Sequence, residues 1–142
     1  MENFSEAERK ILDVAYETFL PKEYALNVLA EQKSMGIESW IAAELIVALS
    51  IRGHRVIKKQ KPDLMIDDLK VELKALTNGN NLSWFLSDFT DHPDADIHLF
   101  VTAYNEKSLR DLEEKFQERD IIYEHRRLSS TWAVMIAKEV KK

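Results

Sequence analysis

The chain has 142 residues and contains no cysteine. This absence excludes disulfide bonds and thiolate metal sites, so any metal ion would have to be held by carboxylates or by the four histidines. The first six residues lack the basic and apolar regions of a signal peptide, and no apolar run approaches the roughly 20 residues of a membrane span. We therefore expect a cytoplasmic protein that has no membrane partner.

Several enzyme signatures are also missing from the chain. It has no glycine-rich phosphate loop, no Gly-x-Ser-x-Gly elbow and no pair of histidines at the spacing of a helical zinc motif. Nucleoside-triphosphate hydrolysis and serine hydrolysis therefore have no support. The length, together with 45% apolar residues, predicts one domain with a substantial hydrophobic core.

The chain has little positive charge, and most of what it has is concentrated in one segment. The net charge of −5 argues against strong nucleic-acid binding by the protein as a whole. Residues 51–76, however, carry seven basic and four acidic side chains, whereas the segments on both sides are acidic. Two interpretations stay open, a solvated strand edge and a rim that faces phosphates. The basic residues of this segment are Arg52, Arg55, Lys58, Lys59, Lys61, Lys70 and Lys74.

Within this segment, residues 62–74 are typical of a β-hairpin with a tight turn at Asp67-Asp68. Because side chains alternate along a strand, the predicted register sets Asp63 opposite Glu72 and puts Lys74 on the same face. Two carboxylates about 5 Å apart at their β-carbons repel each other unless a cation lies between them, which predicts a divalent metal site. The alternative is a half-exposed hairpin whose polar face meets water. The predicted apolar face consists of Leu64, Ile66, Leu69, Val71 and Leu73.

Three helices are predicted before the hairpin, over about 5–20, 23–33 and 37–52. The third is apolar on nearly all sides, so we expect it to be largely buried. Glu44 is the only charge between residues 40 and 51. A buried carboxylate must be paired, protonated or metal-bound, so Glu44 is a candidate metal ligand as well as a candidate ion-pair member. Glu38 is a weaker candidate, because acids are favoured near a helix start in any case.

The remaining pattern predicts strands alternating with helices, and therefore a mixed sheet flanked by helices. Strands are expected at about 54–58, 62–67, 69–76, 97–103, 121–124 and 132–137, and helices at about 82–89 and 106–119. Trp84 and Phe85 could stack on a nucleic-acid base, but we favour core packing for both. His98, in an apolar strand, is expected to be a hydrogen-bonded core residue.

The spacing Pro62-Asp63, eight residues, Glu72-Leu73-Lys74 resembles the signature of the PD-(D/E)xK nuclease superfamily. The element order helix, three strands, helix, strand is also the core order of that family. The resemblance implies a restriction-endonuclease-like α/β fold with the core αβββαβ over residues 36–142. Residues 1–35 would form an N-terminal helical extension packed on the same domain.

The resemblance also implies a function, namely metal-dependent phosphodiester hydrolysis of nucleic acid, with DNA favoured over RNA. Asp63 and Glu72 would hold Mg²⁺ or Mn²⁺, and Lys74 would position the attacking water. Glu44 on the preceding helix and the backbone carbonyl of Leu73 would complete the metal shell. The residues expected to bind the phosphates of the nucleic acid are Arg52, Arg55, Lys58, Lys59 and Lys61.

Other functions stay open at this point. A nuclease-like fold could bind nucleic acid or protein without cutting, and an acidic interaction protein could carry the motif by accident. The compact hairpin is also similar to the tRNA nuclease modules of bacterial polymorphic toxins, although the opening Met1 and capped helix suit a free-standing protein better. The acidic N-terminal arm, residues 1–35, is a candidate surface for a homodimer or a protein partner.

Overall fold

The structure is a computed structural model that describes residues 3–32, 36–60 and 63–140. Within these ranges five α-helices and six β-strands alternate in the order αααβββαβαββ. The helices are α1 (Glu6–Phe19), α2 (Glu23–Glu31), α3 (Ile37–Ile51), α4 (Phe85–Asp91) and α5 (Glu106–Glu118). The strands are β1 (Val56–Lys58), β2 (Leu64–Ile66), β3 (Leu69–Leu76), β4 (Ile97–Ala103), β5 (Ile121–Arg127) and β6 (Trp132–Glu139).

Helix ends follow local chemistry that the sequence predicts. Ser5 and Glu8 form a capping box at the start of α1, in which each side chain binds the other residue's backbone N–H group. A short 3₁₀ turn containing Pro21 follows α1 and separates it from α2. Gly53, with a φ of 89°, ends α3 in a conformation that disfavours other residues. No helix in the described ranges has the length and apolar character needed to cross a membrane.

The six strands form one mixed sheet in the order β1-β2-β3-β4-β6-β5. Strands β1, β2 and β3 are antiparallel neighbours, and β4 lies parallel to β3 after a crossover that contains α4. Strand β6 inserts antiparallel between β4 and β5. The prediction of a mixed sheet flanked by helices is confirmed.

The hairpin has the predicted register. Leu64 pairs with Val71 and Ile66 with Leu69 across a turn at Asp67-Asp68, where Asp67 adopts a φ of 53°. Aspartate tolerates this left-handed conformation better than most residues, and its side chain also accepts a hydrogen bond from the backbone of Arg55. Strand β2 is shorter than expected, and Pro62 lies outside the described residues.

Other boundaries differ modestly from expectation. The strand predicted at 54–58 begins at Val56, and the helix predicted at 82–89 is a 3₁₀ turn followed by α4, which extends to Asp91. Strand β5 runs three residues further than predicted, to Arg127. Strand β5 pairs with β6 along its whole length. The local sequence does not reveal this neighbour, so it does not predict where β5 ends.

Two apolar cores lie on opposite faces of the sheet. Helices α1, α2 and α3 cover one face, while α4 and α5 cover the other. The predicted apolar face of the hairpin is confirmed, since four of its residues are buried in the first core and the fifth packs partly buried against it. These residues are Leu64, Ile66, Val71 and Leu73, with Leu69 at the margin.

The expectation that α3 is largely buried is wrong for its outer side. Val47 and Ile51 are 57% and 78% exposed, although Ile41, Leu45 and Leu49 are fully buried. The helix packs on the sheet and on α1, so only one side of it meets the core. Its uniformly apolar sequence does not distinguish the two sides.

Candidate functional site

Asp63 and Glu72 bring their carboxyl groups together on the face of the hairpin that lies opposite the first core. The two side chains are close enough to share a hydrogen bond, as the predicted register requires. The Glu72 side chain is only 3% exposed. A nearly buried acid therefore faces a second acid, which is a costly arrangement in the absence of a cation.

Two carboxylate side chains accept hydrogen bonds from backbone N–H groups of β3, beyond the point where its pairing with β2 ends. The backbone N–H of Leu73 donates to Asp63 Oδ2 at 2.9 Å, and that of Ala75 lies 3.4 Å from Glu38 Oε2. Strand β2 pairs with β3 only as far as Val71, so within the described residues no strand pairs with these N–H groups on that side. The side chains of Asp63 and Glu38 thus take the place of a neighbouring strand as hydrogen-bond acceptors, and Asp63 is held beside Glu72.

Of the two acids on α3, Glu38 lies next to Asp63, whereas Glu44, the predicted metal ligand, is paired elsewhere. Glu44 forms an ion pair with Lys22 on the outer side of α3. Glu38 instead borders a cavity of about 100 Å³ together with Asp63 and Leu73. The two glutamates are six residues apart, so they project from α3 in different directions. Glu38 is the weaker candidate in the sequence, because acids are favoured near a helix start in any case. Nothing in the sequence between Glu38 and Pro62-Asp63 indicates that it, rather than Glu44, lies at the hairpin.

Burial and neighbouring acids perturb the protonation of this cluster. Desolvation, the hydrogen bond with Asp63, and the negative charges of Asp63 and Asp88 raise the pKa of Glu72 to about 8. Burial is also the main cause that raises the pKa of Glu38, which the hydrogen bond from the Ala75 backbone and the charge of Lys74 partly offset. The raised pKa favours the protonated form of the Glu72 carboxyl group at neutral pH, unless a cation joins it.

Lys74 projects from the same face of β3 as Glu72, as the alternation predicts. It lies near enough to Glu38 to lower the pKa of that carboxyl group. Among the residues that the structure describes, no side chain forms an ion pair or hydrogen bond with the Lys74 ammonium group. Its charge therefore remains available to a ligand.

Three residues that sequence reasoning did not assign to the site complete the cluster. His98 on β4 is the register partner of Glu72, and its Nδ1 lies 2.6 Å from Asp88 Oδ2 on α4. His98 is buried and hydrogen-bonded, as expected. His92, just after α4, places Nδ1 3.4 Å from Glu72 Oε1. Asp88 and His92 come to the site through the parallel crossover, and no local motif indicates them.

The predicted basic residues separate into two groups. Lys58 borders the cavity that contains Asp63 and Glu38, and Lys59 borders a cleft of about 350 Å³ that also contains Lys70, Glu72 and His92. These lysines adjoin the acid pair. The second group consists of Arg52 and Arg55, which lie away from the acid pair, and Lys61, which is outside the described residues.

In that second group, Arg52 pairs with Glu17 of α1 and binds the carbonyl of Ala48, so its guanidinium group is directed away from the cleft. Arg55 is exposed at the turn end of the hairpin, where its backbone binds Asp67. Lys61 lies outside the described residues. Of the predicted basic residues that the structure describes, Lys58 and Lys59 therefore adjoin the acid pair, and Arg52 and Arg55 do not.

The donor set fits a hard divalent cation better than a structural zinc ion. Within residues 3–32, 36–60 and 63–140, no three or more histidine, aspartate or glutamate side chains are grouped so that they could hold a metal ion. What is present is a pair of carboxyl groups, with Leu73 bordering the adjoining cavity. Mg²⁺ is commonly bound by one or two carboxylates plus water and substrate oxygens, which matches this smaller set.

Comparison with known proteins does not add to these observations. No protein-family model matches the chain, and neither a curated protein nor a solved structure matches it significantly.

Proposed function

We propose that the protein hydrolyses phosphodiester bonds of nucleic acid, DNA in preference to RNA, with Mg²⁺ or Mn²⁺ at Asp63 and Glu72. The observation that carries the proposal is the contact between the nearly buried carboxyl group of Glu72 and that of half-buried Asp63, since burial and this contact raise the pKa of Glu72 to about 8. Such a pair is unfavourable alone and favourable around a divalent cation. A lysine on the same strand face supplies the second element of a hydrolytic site.

The residues of the cluster have distinct roles in this proposal. Asp63 and Glu72 hold the ion, and Glu38 replaces Glu44 as the helix acid beside it. When bound, the ion lowers the pKa of a coordinated water and polarises the scissile phosphate. Lys74 orients the water and offsets the negative charge that develops on the phosphate. The Leu73 carbonyl is the further oxygen ligand that the resemblance implies.

The surroundings of the pair suit a polyanionic substrate. Lys58, Lys59 and Lys70 border the cavities beside the acids, so they are positioned to neutralise phosphates on either side of the scissile bond. The acids of the cleft would repel the same phosphates unless the cation is present. We therefore expect substrate binding to depend on the divalent ion as well as on low salt.

The arrangement of α3, β1, β2, β3, α4 and β4 supports a restriction-endonuclease-like fold. These elements follow the order αβββαβ that the resemblance implies, with three antiparallel strands and a fourth parallel to the third. The α1–α2 segment and the β5–β6 pair would then be additions around that core.

A cleavage panel tests the proposal. The full chain is incubated with single-stranded, duplex and branched DNA, and with RNA, in Mg²⁺, Mn²⁺ or EDTA. We expect cleavage with either ion, none in EDTA, and a loss of about a hundredfold or more in Lys74→Ala and Asp63→Asn. Glu44→Gln is the matched control and should keep wild-type activity. Absence of cleavage on every substrate, or cleavage that persists in Lys74→Ala, would contradict the proposal.

A further inference from the structure

Trp84 is an exposed aromatic residue close to the candidate site. Core packing was the expected role of both Trp84 and its neighbour, and this is confirmed only for Phe85, which is fully buried. Trp84 is 64% exposed, at the junction between a 3₁₀ turn and α4. Leu82 and Leu86 on either side of it pack against the second core, so the indole ring projects away from that core into solvent.

The packing of Phe85 at the start of α4 sets Trp84 at about the same height along the sheet as Lys74. The ring of Phe85 stacks on that of Phe100 with centroids 4.0 Å apart, and Phe100 is the register partner of Lys74 on the neighbouring strand. One helical turn later, Asp88 reaches the cluster around Glu72. Trp84 precedes Asp88 by four residues, about one helical turn, so its backbone is placed near the Lys74 side of the acidic cluster.

The segment that carries Trp84 is held rigidly. An added β-carbon on Gly79 would lie 2.9 Å from the backbone N of Tyr104, so only glycine allows this close approach. The Gly79 carbonyl also accepts hydrogen bonds from the side chains of Asn105 and Ser108. The loop before Trp84 is therefore fixed to the start of α5.

Trp84 itself is held by its neighbours in sequence. Asn81 caps the 3₁₀ turn by accepting a hydrogen bond from the Ser83 backbone, and the Ser87 hydroxyl donates to the Trp84 carbonyl at 2.8 Å. An exposed indole on a fixed backbone loses little conformational entropy when a flat ligand stacks on it.

We propose that Trp84 is a stacking platform for an unpaired base, and that the substrate is a nucleic-acid strand with unpaired bases beside the cleaved bond. This inference rests on the proposed function and narrows its substrate class. In an intact duplex each base is already stacked on its neighbours inside the helix. A base can stack on Trp84 only where the strand is single, frayed or branched, while its backbone follows Lys58, Lys59 and Lys70.

The test measures binding separately from cleavage. Affinities for a single strand and for the duplex of the same sequence are measured in Mg²⁺ by fluorescence anisotropy, with every protein carrying Lys74→Ala so that the strands stay intact. Trp84→Ala should weaken single-strand binding about tenfold and duplex binding less than twofold. Trp84→Phe should keep most of the single-strand affinity, because its ring still stacks.

A matched control and a spectroscopic signature sharpen the test. Tyr24 on α2 is 82% exposed and does not border the cleft, so Tyr24→Ala should leave both affinities unchanged. Trp132 is buried and Trp40 partly so. Quenching of tryptophan fluorescence by a single strand should therefore disappear in Trp84→Phe even though binding persists.

The outcomes separate this inference from the proposed function. Equal losses for single strand and duplex in Trp84→Ala, no loss for either, or no binding of any nucleic acid would overturn the stacking role. If wild-type protein cleaves DNA but Trp84→Ala binds normally, the nuclease proposal stands and the stacking role falls. If single strands bind through Trp84 but nothing is cleaved, the stacking role stands and the hydrolytic proposal falls.

Discussion

Glu8 and Glu72 are two nearly buried carboxylates that this protein surrounds in opposite ways. Glu8, at 6% exposure, receives a hydrogen bond from the Ser5 backbone and pairs with Lys138, each at 2.8 Å. Glu72 instead faces the carboxyl groups of Asp63 and Asp88, and the basic group that pairs with it in the described part of the chain is His92, at 3.4 Å. The fold compensates the charge of one and concentrates negative charge around the other.

This difference is the one expected between a structural acid and an acid of the proposed site. A buried carboxylate with a lysine partner and a backbone donor contributes to the packing of α1 on β6 and needs no ligand. A buried carboxyl group surrounded by acids costs stability whenever it ionises. Perturbed pKa values such as that of Glu72 concentrate at functional sites, which supports the proposed site.

The largest expected difference between the two acids is in the pH dependence of stability. The pKa of Glu72 in the folded protein, about 8, lies above the ordinary value of 4.5, so the folded state keeps a proton that the unfolded chain releases. The resulting stabilisation is present below pH 4.5 and is lost as the pH rises to about 8. In EDTA, this carboxyl group should therefore lower the free energy of unfolding by about 2–4 kcal/mol over that range.

Glu72→Gln is the variant that isolates this effect. The amide keeps the shape but cannot ionise, so urea unfolding in EDTA at pH 5, 6.5 and 8.5 should show a much smaller slope than in the wild type. Mg²⁺ should stabilise the wild type at pH 8.5 and leave Glu72→Gln unchanged. The same slope in both proteins would show that Glu72 is not the group that titrates.

A smaller effect is expected from breaking the compensated pair. Lys138→Met leaves the Glu8 carboxylate without its partner and should lower the free energy of unfolding by about 1–3 kcal/mol at pH 7. Calorimetry should show unchanged Mg²⁺ binding in this variant, because the pair lies in α1 and β6. The double variant Lys138→Met/Glu8→Gln should recover part of the loss. A change in Mg²⁺ affinity would argue against the assignment of Glu8 as purely structural.

The smallest effect distinguishes the two glutamates of α3. Glu38→Gln should weaken Mg²⁺ binding about tenfold, since its carboxylate lies beside Asp63 and binds the Ala75 backbone. Glu44→Gln should leave the affinity unchanged, since it pairs with Lys22 on the other side of the helix. Isothermal titration of both variants checks this, and equal weakening in the two would reject the assignment of Glu38.

Some parts of the fold were predictable because their causes are local. The capping box at Ser5, the stop at Gly53 and the turn at Asp67-Asp68 each depend on residues within a few positions of one another. The register of the hairpin follows from this turn, and with it the meeting of Asp63 and Glu72. Strand β4 was also predicted with its exact bounds, because a continuous apolar run bounded by polar residues is distinctive.

Other parts depend on packing between distant segments. Glu38 and Glu44 are both acids on one apolar helix, and only the seating of α3 on the sheet decides which one reaches the hairpin. Trp84 and Phe85 are adjacent aromatic residues, yet one is buried against Phe100 and the other is exposed. The insertion of β6 between β4 and β5 has no local signal, because any of these strands could pair with several neighbours.

The sequence by itself determined the alternation that sets Asp63, Glu72 and Lys74 on one face of a hairpin, because a strand has a period of two and a short turn sets its register. Only the tertiary structure decided which other groups join them. The parallel pairing of β3 with β4 brings His98 beside Glu72, and the crossover places Asp88 and His92 over them. Many residues of the chain have similar chemistry, and packing between distant segments determines which of them come together. No short stretch of sequence contains that information.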